Sequence, residues 1–118
     1  MNIRIQVRHD AAKESIQRYI TAEFERIASK FTDGEASPII SAEFIVDHEG
    51  PNGHKKTFEA IIHVPNETLT VKESDTETHK AIDTSMKVLE KLLKRHKETY
   101  LKPGSLIRHN TERRQPSQ

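Results

Sequence analysis

The chain has 118 residues, 33% of them hydrophobic and 31% charged, with no Cys and no Trp. That is room for one small domain. It excludes disulfides, thiolate metal sites and cysteine nucleophiles. No apolar run approaches the ~18 residues of a membrane span, and Met1-Asn2-Ile3-Arg4 alternates polar and apolar residues rather than forming a signal peptide, so the expected location is the cytoplasm. The net charge of +1 divides unevenly: residues 1–79 hold nine Lys/Arg against fourteen Asp/Glu, and residues 80–118 hold ten against four. An imbalance of this kind points either to an anionic partner or to a solvated helix with a basic tail.

Residues 2–8 alternate strictly, with Ile3, Ile5 and Val7 on one face and Arg4, Gln6 and Arg8 on the other, as in a strand with one buried side. His9-Asp10 offers a stop and an N-cap for a helix. From Ala11 to Phe31 the pattern is helical: Ile16, Ile20, Phe24, Ile27 and Phe31 fall on one stripe, and Thr32-Asp33-Gly34 closes it with turn chemistry. Residues 39–46 read as a strand with Ile40, Ala42, Phe44 and Val46 on one face. Asp47 to Lys56, containing Gly50-Pro51-Asn52-Gly53, reads as a loop. Residues 57–64 (Phe58, Ala60, Ile62 and Val64 inward) and 68–72 (Leu69 and Val71 inward) form a hairpin about Pro65-Asn66-Glu67. Ser74 and Glu77 have capping-box spacing, ahead of a second helix from Asp75 to Tyr100 that Pro103-Gly104 stops. Residues 105–118 lack periodicity, and 102–118 read as a flexible basic tail on a domain of residues 1–101. The order strand, helix, three strands, helix predicts a two-layer α+β sandwich, a four-stranded sheet with both helices on one face. Its expected core includes Ile3, Ile5, Val7, Phe24, Ile27, Phe44, Ile62, Leu69, Ile82, Leu89 and Leu93.

On a wheel of about 100° per residue, Ala81, Ile82, Ser85, Met86, Val88, Leu89, Leu92 and Leu93 share the core-facing arc of the second helix. Lys80, Lys87, Lys91, Lys94 and Arg95 share the opposite arc, with Asp83 and Glu90 on the boundary between them. At ~1.5 Å rise per residue, Lys80 to Arg95 is a single-sign row of roughly 22 Å. A row of that length can meet several phosphates, and binding would then be salt-sensitive. The bland alternative is a solvated helix face, since Lys and Arg are good helix formers. A membrane surface suits it less: the apolar arc is committed to the sheet and carries no Trp or Phe.

The other candidates are weaker. The seven histidines, His9, His48, His54, His63, His79, His96 and His109, include no pair at metal-ligand spacing on one element, so no metal site and no cofactor is expected. There is no phosphate-cradling glycine loop, no nucleophile elbow and no distinctive carboxylate pair, so no catalytic residue is assigned and the chain reads as a non-enzyme without a small-molecule substrate.

Three stretches carry a family resemblance. They are Tyr19 to Ile27 with Phe31; Ile62-His63-Val64 through Ser74; and, above all, Ala81-Ile82-Asp83 followed by Leu89, Lys91, Leu93 and Arg95-His96-Lys97. Over residues 1–100 the chain resembles the ribosome hibernation family, which comprises hibernation-promoting factor and the ribosome-associated inhibitor, also known as sigma-54 modulation proteins. The resemblance implies a β-α-β-β-β-α fold similar to a double-stranded-RNA-binding domain. It also implies binding to the rRNA and proteins of the small ribosomal subunit at the mRNA and tRNA channel, across the A and P sites. Translation would be silenced there by occlusion in stationary phase or stress. It further implies a protein that is monomeric away from the ribosome.

Arg26, Lys91, Arg95 and Lys97 match basic positions of the family; Lys80, Lys87 and Lys94 rest on the wheel. Two residues depart from the family pattern: Glu23 stands where relatives often have Lys, and His79 replaces an aromatic residue before Ala81-Ile82-Asp83. The long family members' C-terminal domain is not expected in a chain of 118 residues. The basic tail, with Lys102, Arg108, Arg113 and Arg114, is compatible with either a short hibernation-promoting or an inhibitor type. The rival reading, suggested by the older family name, is a protein-interaction module that modulates a transcription factor.

Overall fold

The computed structural model describes residues 2–32 and 38–101. The segment 102–118 and the turn at Asp33-Gly34 lie outside the described residues. The elements are β1 (Asn2–Val7), α1 (Lys13–Ser29), β2 (Ser41–Glu49), a 3-10 turn (Pro51–Gly53), β3 (Lys55–Val64), β4 (Glu67–Asp75) and α2 (Thr78–His96), followed by a π turn over Lys97–Leu101. The sheet order is β1-β2-β3-β4, with β1 parallel to β2 and the other neighbours antiparallel. This is the expected α+β sandwich. Both helices lie on the face that carries Ala42, Phe44, Val46, Phe58, Ala60, Ile62, Leu69 and Val71, all buried. From the helices, Ile16, Ile20, Phe24 and Ile27 of α1 and Ala81, Ile82, Met86, Leu89 and Leu93 of α2 complete the core. Phe44 sits at its centre, edge-on to Phe24 and stacked on Phe58, with ring centroids 5.0 and 5.8 Å away.

Several expectations are corrected. Ile3, Ile5 and Val7 are only half-buried, because β1 is an edge strand that α1 covers thinly, whereas β4, the other edge, lies under α2 and keeps Leu69 and Val71 buried. Ile40 is 60% exposed and Ile39 is buried instead. The ladder with β1 starts at the pair Asn2–Ser41, so strand alternation does not reach back to Ile40. The expected loop from Asp47 to Lys56 shrinks to Gly50–His54, because pairing of β2 with β3 continues to Glu49–Lys55. Its tight reversal places Gly50, Asn52 and Gly53 at φ of 81°, 56° and 62°, the left-handed region that Gly and Asn tolerate.

The capping box at Ser74 does not form. Ser74 is held in the β4 ladder opposite Thr57, and α2 starts three residues later than expected, at Thr78. Asp75 Oδ1 accepts the Glu77 N–H instead, at 3.1 Å, and turns the chain into the helix. Asp10 does the same before α1, accepting from the Ala12 N–H at 2.8 Å, so it stands two residues before the N-cap, Ala12, rather than at it.

Candidate nucleic-acid interface

The core fixes how α2 is rotated. With Ile82, Leu89 and Leu93 turned into the sheet, Lys80, Lys87, Lys91, Lys94 and Arg95 are all exposed on the far side. Lys97, on the π turn just beyond the helix, is exposed too. Lys87, Lys91, Lys94, Arg95 and Lys97 have no carboxylate oxygen within 4.0 Å among the described residues. Lys80 is tied to Glu77 at 3.2 Å, so it begins the row as a paired cation. Lys94 and Arg95 stand in the last turn of α2, where their charge also complements the helix dipole.

The acids Asp83 and Glu90, placed by the wheel on the boundary, face α1. Glu90 Oε2 accepts from Lys30 Nζ at 2.7 Å across the interhelical seam. That contact, the largest influence, together with the charges of Lys30 and Arg26, lowers the Glu90 carboxyl pKa below its usual value. Asp83 Oδ1 accepts a hydrogen bond from the Tyr19 hydroxyl. That bond first, then burial and the Asp83 charge, pushes the Tyr19 phenol up to about 12. The ring of His79 packs edge-on against Tyr19, with centroids 4.6 Å apart. The aromatic position that departs from the family pattern is thus filled by an imidazole contact.

Arg26 is the one α1 residue among the expected contacts. It lines a groove between the helices with Lys87, Asp83 and Glu90, so α1 and the α2 row meet along one surface. It is not free: Arg26 Nη2 donates to Glu23 Oε1 at 3.1 Å. At the far end of the row, His96 is buried, and its Nε2–H donates to the Pro65 carbonyl at 2.7 Å. This pins the end of α2, with its neighbours Arg95 and Lys97, to the β3–β4 turn.

Sequence reasoning missed Tyr19, Lys30 and His96 as the residues that seat α2. Tyr19 lies 64 residues from Asp83, Lys30 lies 60 from Glu90, and His96 lies 31 from Pro65, and no local spacing signals such pairs. Among the described residues no group of three or more His, Asp or Glu could hold a metal ion, and no helix is long and apolar enough to cross a membrane. The shallow groove beside the row, lined by Lys87, Glu90, Lys91 and Lys94, is mainly cationic and suits a polyanion lying along it, whereas the interhelical groove sets Glu23, Asp83 and Glu90 against Arg26 and Lys87.

The chain is similar to known proteins over nearly all of this domain. The crystal structure of the Thermus thermophilus Protein Y N-terminal domain matches with a TM-score of 0.67 and 26% identity, over 81% of this chain and 99% of that one. The structure of a ribosomal subunit interface protein from Coxiella burnetii shares the fold, with a TM-score of 0.65 and 18% identity over 82% and 98% of the two chains. No curated protein matches in a sequence comparison. The family model described as "Sigma 54 modulation protein / S30EA ribosomal protein" matches residues 3–100, which spans every element from β1 to the π turn, and the chain belongs to that family.

Proposed function

We propose that this protein is a translation-silencing factor that docks on the small ribosomal subunit through the outer face of α2. There it lies in the channel that mRNA and tRNA would occupy, across the A and P sites. The observation that carries this reading is the row of exposed cations Lys87, Lys91, Lys94 and Arg95 on α2, none with a carboxylate partner among the described residues, on a helix whose other side is locked in the core. A solvated helix face would gain little from sorting its charges by sign. A phosphate backbone rewards it, because each neutralised phosphate releases counterions.

The family description includes a ribosomal protein, which supports an rRNA partner. Folded rRNA is read largely by shape and backbone, so a face without stacking aromatics is adequate. Occlusion needs no bond to be made or broken, and the mechanism is binding alone. The tail of residues 102–118 carries further basic residues and is proposed to follow the same path of RNA. The alternative, modulation of a transcription factor by protein contact, is served less well by a single-sign row without an apolar centre.

The test is sedimentation of purified full-length chain with isolated small subunits through a sucrose gradient, alongside a cell-free translation assay. Co-migration that weakens with salt, together with loss of translation, is the expected result. A chain that stays at the top of the gradient at low salt overturns the proposal.

A further inference from the structure

The cations of the seam between α1 and α2 differ from those of the row. Arg26 is held by Glu23 at 3.1 Å, one helical turn back on α1. Lys30 is held by Glu90 at 2.7 Å, across the seam on α2. The four side chains remain between 28% and 53% exposed, so neither pair is sealed from a ligand. Glu90 also feels the charge of Arg26, which makes one alternating series of Glu23, Arg26, Glu90 and Lys30 along the seam. By position in the helix Glu90 stands among Lys87, Lys91 and Lys94, yet its carboxylate is drawn to α1 and leaves those three unpaired.

We propose that Glu23 and Glu90 set the affinity of the basic face, by occupying Arg26 and Lys30 and withholding them from RNA phosphates. This rests on the reading of the helical face as an RNA interface, and it names the residues that limit that face. A carboxylate and a phosphodiester offer a guanidinium or an ammonium the same chemistry, a pair of anionic oxygens. The carboxylate is tethered beside the cation, so a phosphate must displace it. Exposed pairs of this kind are weak, which makes the exchange accessible and the attenuation moderate. The seam is therefore close to neutral. Along α2 and the seam, the cations left without a carboxylate among the described residues are those of the α2 row, and a docked backbone is aligned with that row rather than with the groove.

The experiment measures binding of the full chain to a labelled RNA duplex by fluorescence anisotropy, from 50 to 200 mM salt. The variants are Glu23→Gln, Glu90→Gln, Glu23→Gln with Arg26→Gln, and Glu25→Gln as the charge control. Glu25 is an exposed acid of α1 with no cation within 4.0 Å among the described residues. Glu25→Gln removes the same charge as Glu23→Gln without freeing a cation.

Glu23→Gln and Glu90→Gln should each steepen the plot of log affinity against log salt by about 0.9, the contribution of one new phosphate contact, and should tighten binding at the lowest salt several-fold beyond Glu25→Gln. Adding Arg26→Gln to Glu23→Gln should return the slope to the wild-type value. Thermal melts accompany each variant, because Glu90→Gln also removes a bridge between helices, whereas the Glu23 pair lies within one helix.

The proposal is overturned if Glu23→Gln behaves like Glu25→Gln, if the gain survives Arg26→Gln, or if no form binds the duplex at 50 mM salt. Wild-type sedimentation with small subunits is scored separately. Its failure beside the expected slopes would remove the ribosomal reading and leave the role of the two glutamates standing.

Discussion

Removing the free row is the most direct challenge to the interface. Lys87, Lys91, Lys94 and Arg95 are exposed, and none has a carboxylate within 4.0 Å among the described residues, so changing all four to Gln breaks no ion pair there. Surface changes of this kind cost up to about 0.5 kcal/mol each, and the two in the last turn of α2 also give up a favourable dipole interaction of about 0.3–1 kcal/mol apiece. The fold should survive with a lowered melting temperature and an unchanged circular dichroism spectrum.

Binding should change far more. If all four residues meet phosphates, the slope of log affinity against log salt falls by about 3.6, at 0.9 per contact. Across a fourfold rise in salt, from 50 to 200 mM, the wild type should then lose about 150-fold more affinity than the variant. The assay is the salt-dependent sedimentation of small subunits with each protein. Glu25→Gln serves as control, because Asp83 is engaged by Tyr19 and its replacement would disturb the seam. A quadruple variant that folds and retains the wild-type slope would refute the interface and reduce the row to a solvated face.

Other outcomes rest on the same geometry. Leu89 is fully buried, and Leu89→Ala should cost about 2–5 kcal/mol in urea denaturation through lost burial and the cavity left behind. Tyr19 donates to Asp83, which pushes its phenol up to about 12 in the folded protein against about 10 when unfolded. Its contribution to stability is present below pH 10 and is lost as pH rises from there through 12. Absorbance titration should find a late-ionising phenol, and Tyr19→Phe should abolish that step. Glu90 runs the other way: its lowered carboxyl contributes stability above the ordinary carboxylate range of about 4, and acid melts should lose it as pH falls through and below that range, less so in Glu90→Gln. His96→Ala removes a buried ring and its bond to Pro65. It should cost about 2–4 kcal/mol and weaken binding through the displaced end of α2, visible as faster amide exchange over residues 92–97.

Much of the molecule was legible in one dimension because it is periodic. Alternation over residues 2–7 and 57–64 marked strands and their inner faces, and the steps from Ile16 to Ile27 marked the buried stripe of α1. The single-sign face of α2 was legible for the same reason: a helix with an apolar arc must turn its opposite arc to water, whatever covers the apolar one. These are properties of local chain geometry, and they hold before any tertiary contact forms.

What only the tertiary structure decided lies at ends and between elements. Ser74 had the chemistry of a cap, but β4 pairs with β3 through Asp75 and keeps that segment extended. Ile3, Ile5 and Val7 had the pattern of core residues, but β1 lies at the sheet's edge where α1 covers it thinly. Arg26 and Lys91 looked alike as exposed cations; one is held by Glu23 and the other has no carboxylate partner among the described residues. The contacts that seat α2, Tyr19 with Asp83, Lys30 with Glu90 and His96 with Pro65, join residues 64, 60 and 31 positions apart. Periodicity says which way a side chain points from its own element. Which element it meets, and which charge answers it there, depends on the path of the chain between them.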